Sequence, residues 1–338
     1  MEQNKAGLTA YPAPSGQTRP LIVGTRGSKL ALWQTNWLVE RLRETHPDLQ
    51  VETKIITTQG DRIQDRPLQS INNDGFFVRE LEDALFRGEI DLAVHSLKDL
   101  PHAQPEGLVV PVAPGRVDAR DALISKNNLS LADLPQGAVI GTSSTRRASQ
   151  LLAVRPDFTI LPLRGNVDTR MRKLQEGSPE NYDAIILAAA GLERLGRSGE
   201  ITEMLPYSVM LPAPGQGALA PECRSDDSLV LSYLSHINEL AAQAAVAGEK
   251  TFMAALGGGC QTPVGCYLEV VGQQIVGYGY VGRPDGSRVI KVELAQAWDG
   301  SLQTARDLGA KLAGLAQEQG AKQILDEARA AGFVTERK

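Results

Sequence analysis

Short apolar runs alternate with segments of helical periodicity over the first two thirds of the chain. The apolar runs in the first part predict strands at 20–25, 51–58, 91–97 and 108–113. Leu30, Trp33 and Trp37 recur at helical spacing after the first run, and Ser28 is placed to cap that helix. A second amphipathic helix is predicted at 75–90. This order of elements is typical of an α/β unit.

The alternation starts again near residue 117. Apolar runs predict strands at 137–144, 158–164 and 182–191, and a helical segment follows each of the first two. The run "YDAIILAAAG" at 182–191 is almost wholly apolar, as is typical of a strand in a sheet covered on both faces. We therefore predict a second α/β unit with a mostly parallel sheet.

The pattern changes from about residue 236. A helical segment runs to Leu256, and three strand-like runs follow: "VGCYLEVV", "QQIVGYGYVG" and "SRVIKVELA", with a "PDG" turn between the last two. Helical patterns around 301–318 and 320–331 complete this region. The region is predicted to be a small α+β domain built on antiparallel hairpins.

These patterns predict an α/β protein of three domains after a flexible N-terminal tail. The tail covers 1–19, the first domain 20–116 plus about 215–235, the second 117–214 and the third 236–338. The stretch 210–224 is rich in proline and glycine and is predicted to cross between domains.

Composition and charge exclude several classes of protein. The chain has 338 residues, 42% of them hydrophobic and 22% charged, which is typical of a globular protein with two or three domains. The net charge of −5 argues against a general nucleic-acid binder, and no apolar run is long enough to cross a membrane. The first twenty residues lack the apolar segment of a signal peptide, so a cytoplasmic protein is expected. The three cysteines suggest neither a disulfide framework nor a metal site.

Cations gather where the predicted parallel strands end. Ligands of α/β sheets bind beyond the carboxyl ends of the strands, where helix N-termini point. The residues at these ends are Arg26, Ser28, Lys98, Asp99, Ser144, Arg146, Arg147, Arg164 and Arg170. A cation at a helix N-terminus opposes the helix dipole, so repeating this arrangement at several helices suggests a bound polyanion. The alternative is that these arginines lie on solvated helix faces.

Two further residues have open interpretations. Asp99 is the one carboxylate among these cations, and it is either a turn residue paired with an arginine or a counter-charge for a cationic species formed in a reaction. Cys260 directly follows Gly257, Gly258 and Gly259. A lone cysteine is usually a small buried hydrophobe, although the loop position and the glycines favour exposure here.

Seven motifs together resemble the porphobilinogen deaminase family, whose members are also called hydroxymethylbilane synthases. In chain order they are "TRGSKLALWQ", "HSLKDLP", "GTSSTRRASQL", "LRGNVDTR", "DAIILAAAGLERLG", "LPAPGQGA" and "GGGCQTPVG". The resemblance covers about residues 20–270. It implies two domains similar to type II periplasmic binding proteins, with the active cleft between them, and a small third domain. It also implies a monomer that acts on the small molecule porphobilinogen. The charge and hydropathy described above predict no nucleic-acid or membrane partner.

The resemblance further implies an activity and roles for individual residues. A dipyrromethane cofactor is held by a thioether to Cys260; four porphobilinogen molecules are added to it with loss of ammonia, and hydrolysis releases hydroxymethylbilane. Asp99 matches the catalytic carboxylate, which stabilises the azafulvenium cation. The positions that match cofactor contacts are Lys98, Ser144, Arg146, Arg147, Arg164 and Arg170. The positions that match substrate contacts are Arg26, Ser28 and Gln34.

One stretch departs from the family pattern, and two other functions compete with the main hypothesis. The family has a lysine where this chain has Asp74, in "NNDGFF", so substrate contacts of the loop near 60–75 are expected to differ. A non-catalytic anion-binding module of the same fold would need the arginines but not Asp99 or Cys260. A thiol enzyme would pair Cys260 with His95 or His102, but the sequence has no known Cys–His signature.

Overall fold

Three β-sheets organise the described part of the chain, two with five strands and one with three. The computed structural model describes residues 19–58, 78–101, 104–177, 181–259 and 262–330. The strands are β1 (Leu21–Thr25), β2 (Val51–Ile55), β3 (Leu92–Ser96), β4 (Leu108–Val109), β5 (Asp121–Ser125), β6 (Val139–Gly141), β7 (Thr159–Leu161), β8 (Ala184–Ala188), β9 (Glu203–Met204), β10 (Leu219–Arg224), β11 (Val264–Val271), β12 (Gln274–Gly282) and β13 (Val289–Ala297). The helices are α1 (Lys29–Thr45), α2 (Arg79–Phe86), α3 (Thr145–Val154), α4 (Val167–Gln175), α5 (Ala189–Arg194), α6 (Ser228–Ser235), α7 (Leu240–Ala255), α8 (Leu302–Glu318) and α9 (Ala321–Ala330).

The first sheet has the order β2-β1-β3-β10-β4. Strand β1 pairs in parallel with β2 and β3, whereas β10 pairs antiparallel with β3 and β4. Strand β10 comes from the stretch predicted to cross between domains, and it lies within the segment 215–235 that is predicted to belong to the first domain. The sequence pattern does not predict a strand there. The proline within this strand and the glycines before it obscured the pattern, because both residue types are depleted in strands.

The second sheet repeats this arrangement with the order β7-β6-β8-β5-β9. Strand β6 is parallel to β7 and β8, and β5 is antiparallel to β8 and β9. The α/β class is therefore confirmed, but both sheets are more mixed than the sequence suggested. The predicted strand at 182–191 ends at Ala188, and the alanine-rich remainder begins helix α5 because alanine favours helix.

Two segments connect the first two sheets. They pair through an isolated antiparallel bridge between Arg116 and Ala218. The third domain contacts these segments through the buried carboxylate of Glu249 on α7. That carboxylate accepts hydrogen bonds from Arg116 Nη1 at 2.6 Å, Gly215 N at 2.7 Å and Leu268 N at 2.8 Å.

The third sheet, β11-β12-β13, is wholly antiparallel. Its core side packs against α7, α8 and α9 through residues such as Phe252, Leu268 and Leu312. The three sheets lie within the boundaries predicted from the sequence, and we propose those boundaries for three domains. Among the helices described, none has both the length and the apolar character needed to span a bilayer.

Candidate active site

A cleft between the first two sheets brings most of the predicted site residues together. Its cavity of about 380 Å³ is within the size range of small-molecule sites. Seven basic side chains and two carboxylates line it among the described residues. They are Arg26, Lys29, Lys98, Arg147, Arg164, Arg170 and Arg194, against Asp99 and Asp168. The cleft therefore carries a marked excess of positive charge and is suited to a polyanion.

The first-domain wall of the cleft is built on the turn from β1 into α1. Ser28 caps α1 as predicted, because its hydroxyl accepts a hydrogen bond from Ala31 N at 3.2 Å. Gln34 lies further along α1 and is 3% exposed. Its Nε2 donates to Ser96 Oγ at 2.8 Å, which fixes the direction of the amide. Arg26, Ser28 and Gln34 all line the cleft.

Lys98 and Asp99 lie on a single 3₁₀ turn that directly follows β3. Lys98 Nζ donates to Gln216 Oε1 at 3.2 Å. Loss of hydration lowers the pKa of Lys98 to about 8, although the nearby Asp99 carboxylate opposes the shift. Asp99 is exposed to the cleft, and no described residue lies within ion-pair distance of its carboxylate. By contrast, Asp168 is bound by Lys29 at 2.9 Å and Arg197 at 2.8 Å.

The second-domain wall presents Arg147, Arg164 and Arg170. Arg147 Nη2 binds Asp121 Oδ1 at 2.7 Å, and its Nη1 donates to the Ile186 carbonyl at 3.0 Å. Arg170 Nε donates to the Gly165 carbonyl at 2.7 Å. Burial, together with the charge of Arg147, lowers the pKa of Arg170 to about 10. A bound carboxylate would relieve this unfavourable burial of positive charge.

Two predicted contact residues, Arg146 and Ser144, lie behind this wall and are not among the residues that line the cleft. The buried guanidinium of Arg146 donates to Asp121 Oδ2 at 2.7 Å and to the Leu211 carbonyl at 2.6 Å. Ser144 caps α3 by accepting from Arg147 N at 3.4 Å. The two adjacent arginines therefore share one buried carboxylate, whose pKa they hold far below its usual range despite burial.

Sequence reasoning missed three residues of this site. Arg194 on α5 is 7% exposed, donates to the Gly217 carbonyl at 2.6 Å and lies 5.9 Å from the Trp33 ring. Burial lowers its pKa to about 10, and its buried Nε has no described partner. Gln216 Nε2 donates to Asp121 Oδ1 at 3.0 Å and thereby connects Lys98 with the arginine pair. Asp121 begins β5 and Gln216 precedes β10, and neither strand has a clear sequence pattern. Arg194 follows a strand predicted too long.

The family assignment follows from comparison with known proteins. The family model described as "Porphobilinogen deaminase, dipyromethane cofactor binding domain" matches residues 21–232, and "Porphobilinogen deaminase, C-terminal domain" matches 243–317. The chain belongs to the porphobilinogen deaminase family. A porphobilinogen deaminase of Brevibacillus brevis is 50% identical over 309 residues, which cover 90% of this chain and 96% of that relative. One from Roseiflexus sp. is 48% identical over 305 residues, which cover 90% and 98%.

The residues of the cleft fit the cofactor named for this family domain. A dipyrromethane built from two porphobilinogen units carries acetate and propionate side chains, and the cleft offers more cations than carboxylates. Arg194 has a buried, unpartnered Nε among the described residues, and Arg170 has a lowered pKa. Both observations are expected where an anionic ligand completes the site.

The structure describes the residues on either side of the predicted attachment cysteine; Cys260 itself lies outside the described residues, as do Asp74 and His102. Thr262 Oγ1 donates to the Gly259 carbonyl at 2.6 Å, which joins the two residues that flank 260–261. Gly257 has a φ of +63°, which favours glycine. A Cβ at Gly259 would meet no atom of the described residues within 4 Å, its chain neighbours apart.

The two described cysteines lie in domain cores. Cys223 packs in the core of the first domain and Cys266 in that of the third, and both are fully buried. Burial raises the pKa of Cys223 to about 12 and that of Cys266 well above its usual value. Neither thiol is suited to bond a ligand of the cleft. His95 is also buried, 3.1 Å from Glu222 Oε2, which leaves it without access to a ligand.

Proposed function

We propose that this chain catalyses the head-to-tail condensation of four porphobilinogen molecules, with loss of ammonia at each step, and then releases hydroxymethylbilane by hydrolysis. Membership of the porphobilinogen deaminase family supports this activity, which makes the chain a transferase of tetrapyrrole biosynthesis. The observation that carries the proposal is a cation-rich cleft with one exposed, unpaired carboxylate among the described residues. The bound dipyrromethane supplies the pyrrole end to which new units are joined.

Asp99 is proposed as the catalytic carboxylate. Loss of ammonia from porphobilinogen leaves a positively charged, electron-poor pyrrole. A carboxylate stabilises such a cation most strongly where water is scarce and the carboxylate is already in position, so that it need not reorganise during the reaction. The exposure of Asp99 towards the cleft, on a turn held by β3, supports this role. Asp168 is less suited, because Lys29 and Arg197 already neutralise it.

The basic residues are proposed to divide the carboxylates of the ligand between them. Arg26, Ser28 and Gln34 hold the incoming porphobilinogen on the first-domain wall. Lys98 and the second-domain arginines hold the cofactor and the growing chain. These second-domain residues are Arg147, Arg164 and Arg170, supported from behind by Ser144 and Arg146. Guanidinium groups suit this task because each can bind a carboxylate through two hydrogen bonds.

Cys260 is proposed as the attachment point, through a thioether. The family resemblance assigns it this role, and the core positions of Cys223 and Cys266 leave it as the remaining candidate of three cysteines. The glycines before it support a loop that presents the thiol without neighbouring side chains. On this proposal Cys260 is a tether that stays bonded through turnover.

The intact mass of the denatured protein tests both the function and the attachment. The wild type should carry an excess equal to two pyrrole units, and Cys260→Ser should lose it. Cys223→Ser is the matched control, since that thiol is buried in a core, and it should keep the excess. Ehrlich's reagent should colour the native wild type by reacting with the free pyrrole. An active wild type of unmodified mass would contradict the proposal.

The same measurement separates the proposal from a non-catalytic anion-binding module. Such a module would bind porphobilinogen or other polycarboxylates without a covalent mass excess and without releasing ammonia. Family membership favours the enzyme. Ammonia release of four molecules per hydroxymethylbilane is the expected stoichiometry of the proposed reaction.

Replacing Gly259 by Val tests the space beside the tether. A Cβ at this position meets no atom of the described residues within 4 Å, and we expect the variant to fold with a normal melting temperature. We expect it to load cofactor poorly, because the proposed dipyrromethane occupies that space. Full loading in Gly259→Val would show that the glycine is not needed for access.

We further propose that the protein acts as a monomer in the cytoplasm. The two buried thiols of Cys223 and Cys266 are free, as is usual in a reducing compartment. Light scattering of the holoenzyme should give a mass close to the 36.3 kDa of one chain. A stable dimer at micromolar concentration would correct this assignment.

A further inference from the structure

One face of the third sheet packs against the second domain through a buried pair of hydroxyl groups. Tyr280 on β12 is 1% exposed and Ser149 on α3 is fully buried. Their oxygens are 2.7 Å apart, and Ser149 Oγ donates to the Arg283 carbonyl at 2.6 Å. A serine hydroxyl has only one proton, so the Tyr280 hydroxyl must donate to Ser149. Burial raises the pKa of Tyr280 to about 12, which keeps it a donor.

Close backbone contact reinforces this junction. Gly286 lies in the turn after β12 with a φ of +71°, and a Cβ there would be 2.4 Å from Ala153 N on α3. A Cβ at Gly282 would be 2.4 Å from Ser149 Oγ. Helix α3 is therefore held against the third domain at two successive turns, with no space for an intervening side chain.

The junction leads on one side to the loop that carries Cys260. Tyr280 pairs with Gly265 in the ladder between β12 and β11. Gly282 N donates to the Pro263 carbonyl at 3.1 Å. Strand β11 begins at Val264, so Tyr280 is bonded to the segment that directly follows the loop.

The junction leads on the other side to the cations of the cleft. Ser149 lies two residues after Arg147 on the same short helix. The first turn of this helix holds Arg146 and Arg147, and both bind the buried Asp121. A displacement of α3 relative to the third domain would move Arg147 relative to Gly259 and Thr262, which flank residues 260–261.

We propose that Tyr280 is a positioning residue for chain elongation, which rests on the function proposed above. Its hydroxyl holds α3 against the third sheet, so that Arg147 and the start of β11, which follows the proposed attachment point, keep a constant separation. The bound chain is then fixed at its attached end and along its carboxylates by one rigid assembly. This matters because a displacement of about 1 Å at a reacting centre lowers rates on the order of a hundredfold.

Tyr280→Phe tests the proposal, because it keeps the ring and removes only the hydroxyl. Tyr278→Phe, two residues earlier on the same strand, is the matched control. We expect Tyr280→Phe to carry the two-pyrrole mass excess but to have a kcat about fivefold lower, the equivalent of one buried hydrogen bond. KM should change by less than about twofold, since the first-domain wall is untouched. Native mass spectrometry should show enzyme-bound intermediates accumulating relative to Tyr278→Phe.

A merely structural role predicts a different result. Tyr280→Phe would then melt at a lower temperature but keep the kcat and the intermediate distribution of the wild type, which would overturn the proposal. Ser149→Ala gives an independent check. The double variant Ser149→Ala, Tyr280→Phe should lower kcat little more than Ser149→Ala alone, because both changes remove the same hydrogen bond. Additive effects of the two substitutions on kcat would also count against the proposal. A wild type without the mass excess would instead contradict the proposed function itself.

Discussion

The two walls of the cleft hold their charges in different ways. On the second-domain wall, Asp121 fixes Arg146 and Arg147 in a buried ion-pair network before any ligand arrives. On the first-domain wall, Asp99 has no ion-pair partner among the described residues, and Lys98 is bonded to the neutral amide of Gln216. The difference matches the proposed division of tasks. A permanently bound chain needs a preformed wall, whereas the carboxylate of Asp99 is left without an ion pair for the cation proposed to form at each step.

Removing Asp121 should have the largest effect on stability and cofactor loading, because it breaks the ion-pair network of the second-domain wall. Asp121→Ala leaves two buried guanidinium groups without their carboxylate, and breaking a buried ion pair of this kind costs about 3–5 kcal/mol. We expect urea unfolding to show a loss of that size in the unfolding free energy, together with poor cofactor loading. Asp133→Ala removes an exposed carboxylate of the same domain and is the control. Equal stabilities of the two variants would mean that the network does not hold the wall.

Removing Asp99 should affect the reaction and leave the fold intact. Asp99→Ala takes away an exposed group without a described partner, so the unfolding free energy should change little. Loss of one preorganised charge that stabilises a transition state lowers kcat by about 10²–10³. Rapid-quench measurement of the first condensation checks this, with intact mass confirming that cofactor is loaded.

Asp168→Asn is the control for Asp99→Ala, because it removes the other carboxylate of the cleft. Asp168 is held by Lys29 and Arg197, so its loss should lower kcat by less than about threefold. Near-normal turnover in Asp99→Ala would contradict the catalytic role proposed for this residue of the first-domain wall.

The contrast between the walls also shows which parts of the site and of the fold could be predicted from the sequence. Arginines at strand ends and the cap Ser28 have local signatures, and the structure has them at those positions. Sequence could not show that Arg146 turns away from the cleft, because its partner Asp121 lies 25 residues earlier, on a strand without a clear pattern. The sequence does predict the return of the chain to the first domain at about 215–235. Local periodicity does not report which strands pair, so the place of β10 between β3 and β4 could not be predicted.

The lowered pKa of Lys98 makes the first-domain wall sensitive to pH. The pKa falls from 10.5 to about 8, chiefly through loss of hydration. Between these values the unfolded chain binds more protons than the folded one, so this group makes the unfolding free energy rise with pH. Bound carboxylates favour the charged ammonium and should raise its pKa. Ligand binding above pH 8 should therefore take up a proton.

Cofactor loading of the apo protein by porphobilinogen should weaken above pH 8. If only the charged form of Lys98 binds, affinity falls by up to about tenfold per pH unit. Lys98→Arg stays charged throughout this range and should flatten the decline. Loading measured by intact mass from pH 7 to 10 checks this. The same decline in Lys98→Arg would assign the titration to a different group.

The ion pair that joins the two walls should have the smallest effect. Lys29 Nζ is 2.9 Å from Asp168 Oδ2, across the mouth of the cleft, but the Lys29 side chain is 78% exposed. Exposed pairs contribute roughly 0–1 kcal/mol and are screened by salt. A cycle of Lys29→Met, Asp168→Asn and the double variant should therefore give a coupling below about 0.5 kcal/mol in kcat/KM. A weak coupling leaves the first-domain wall able to move as the chain grows. A coupling energy above about 1 kcal/mol would mean that this ion pair holds the two walls together, which would contradict the contrast between a fixed and an adjustable wall.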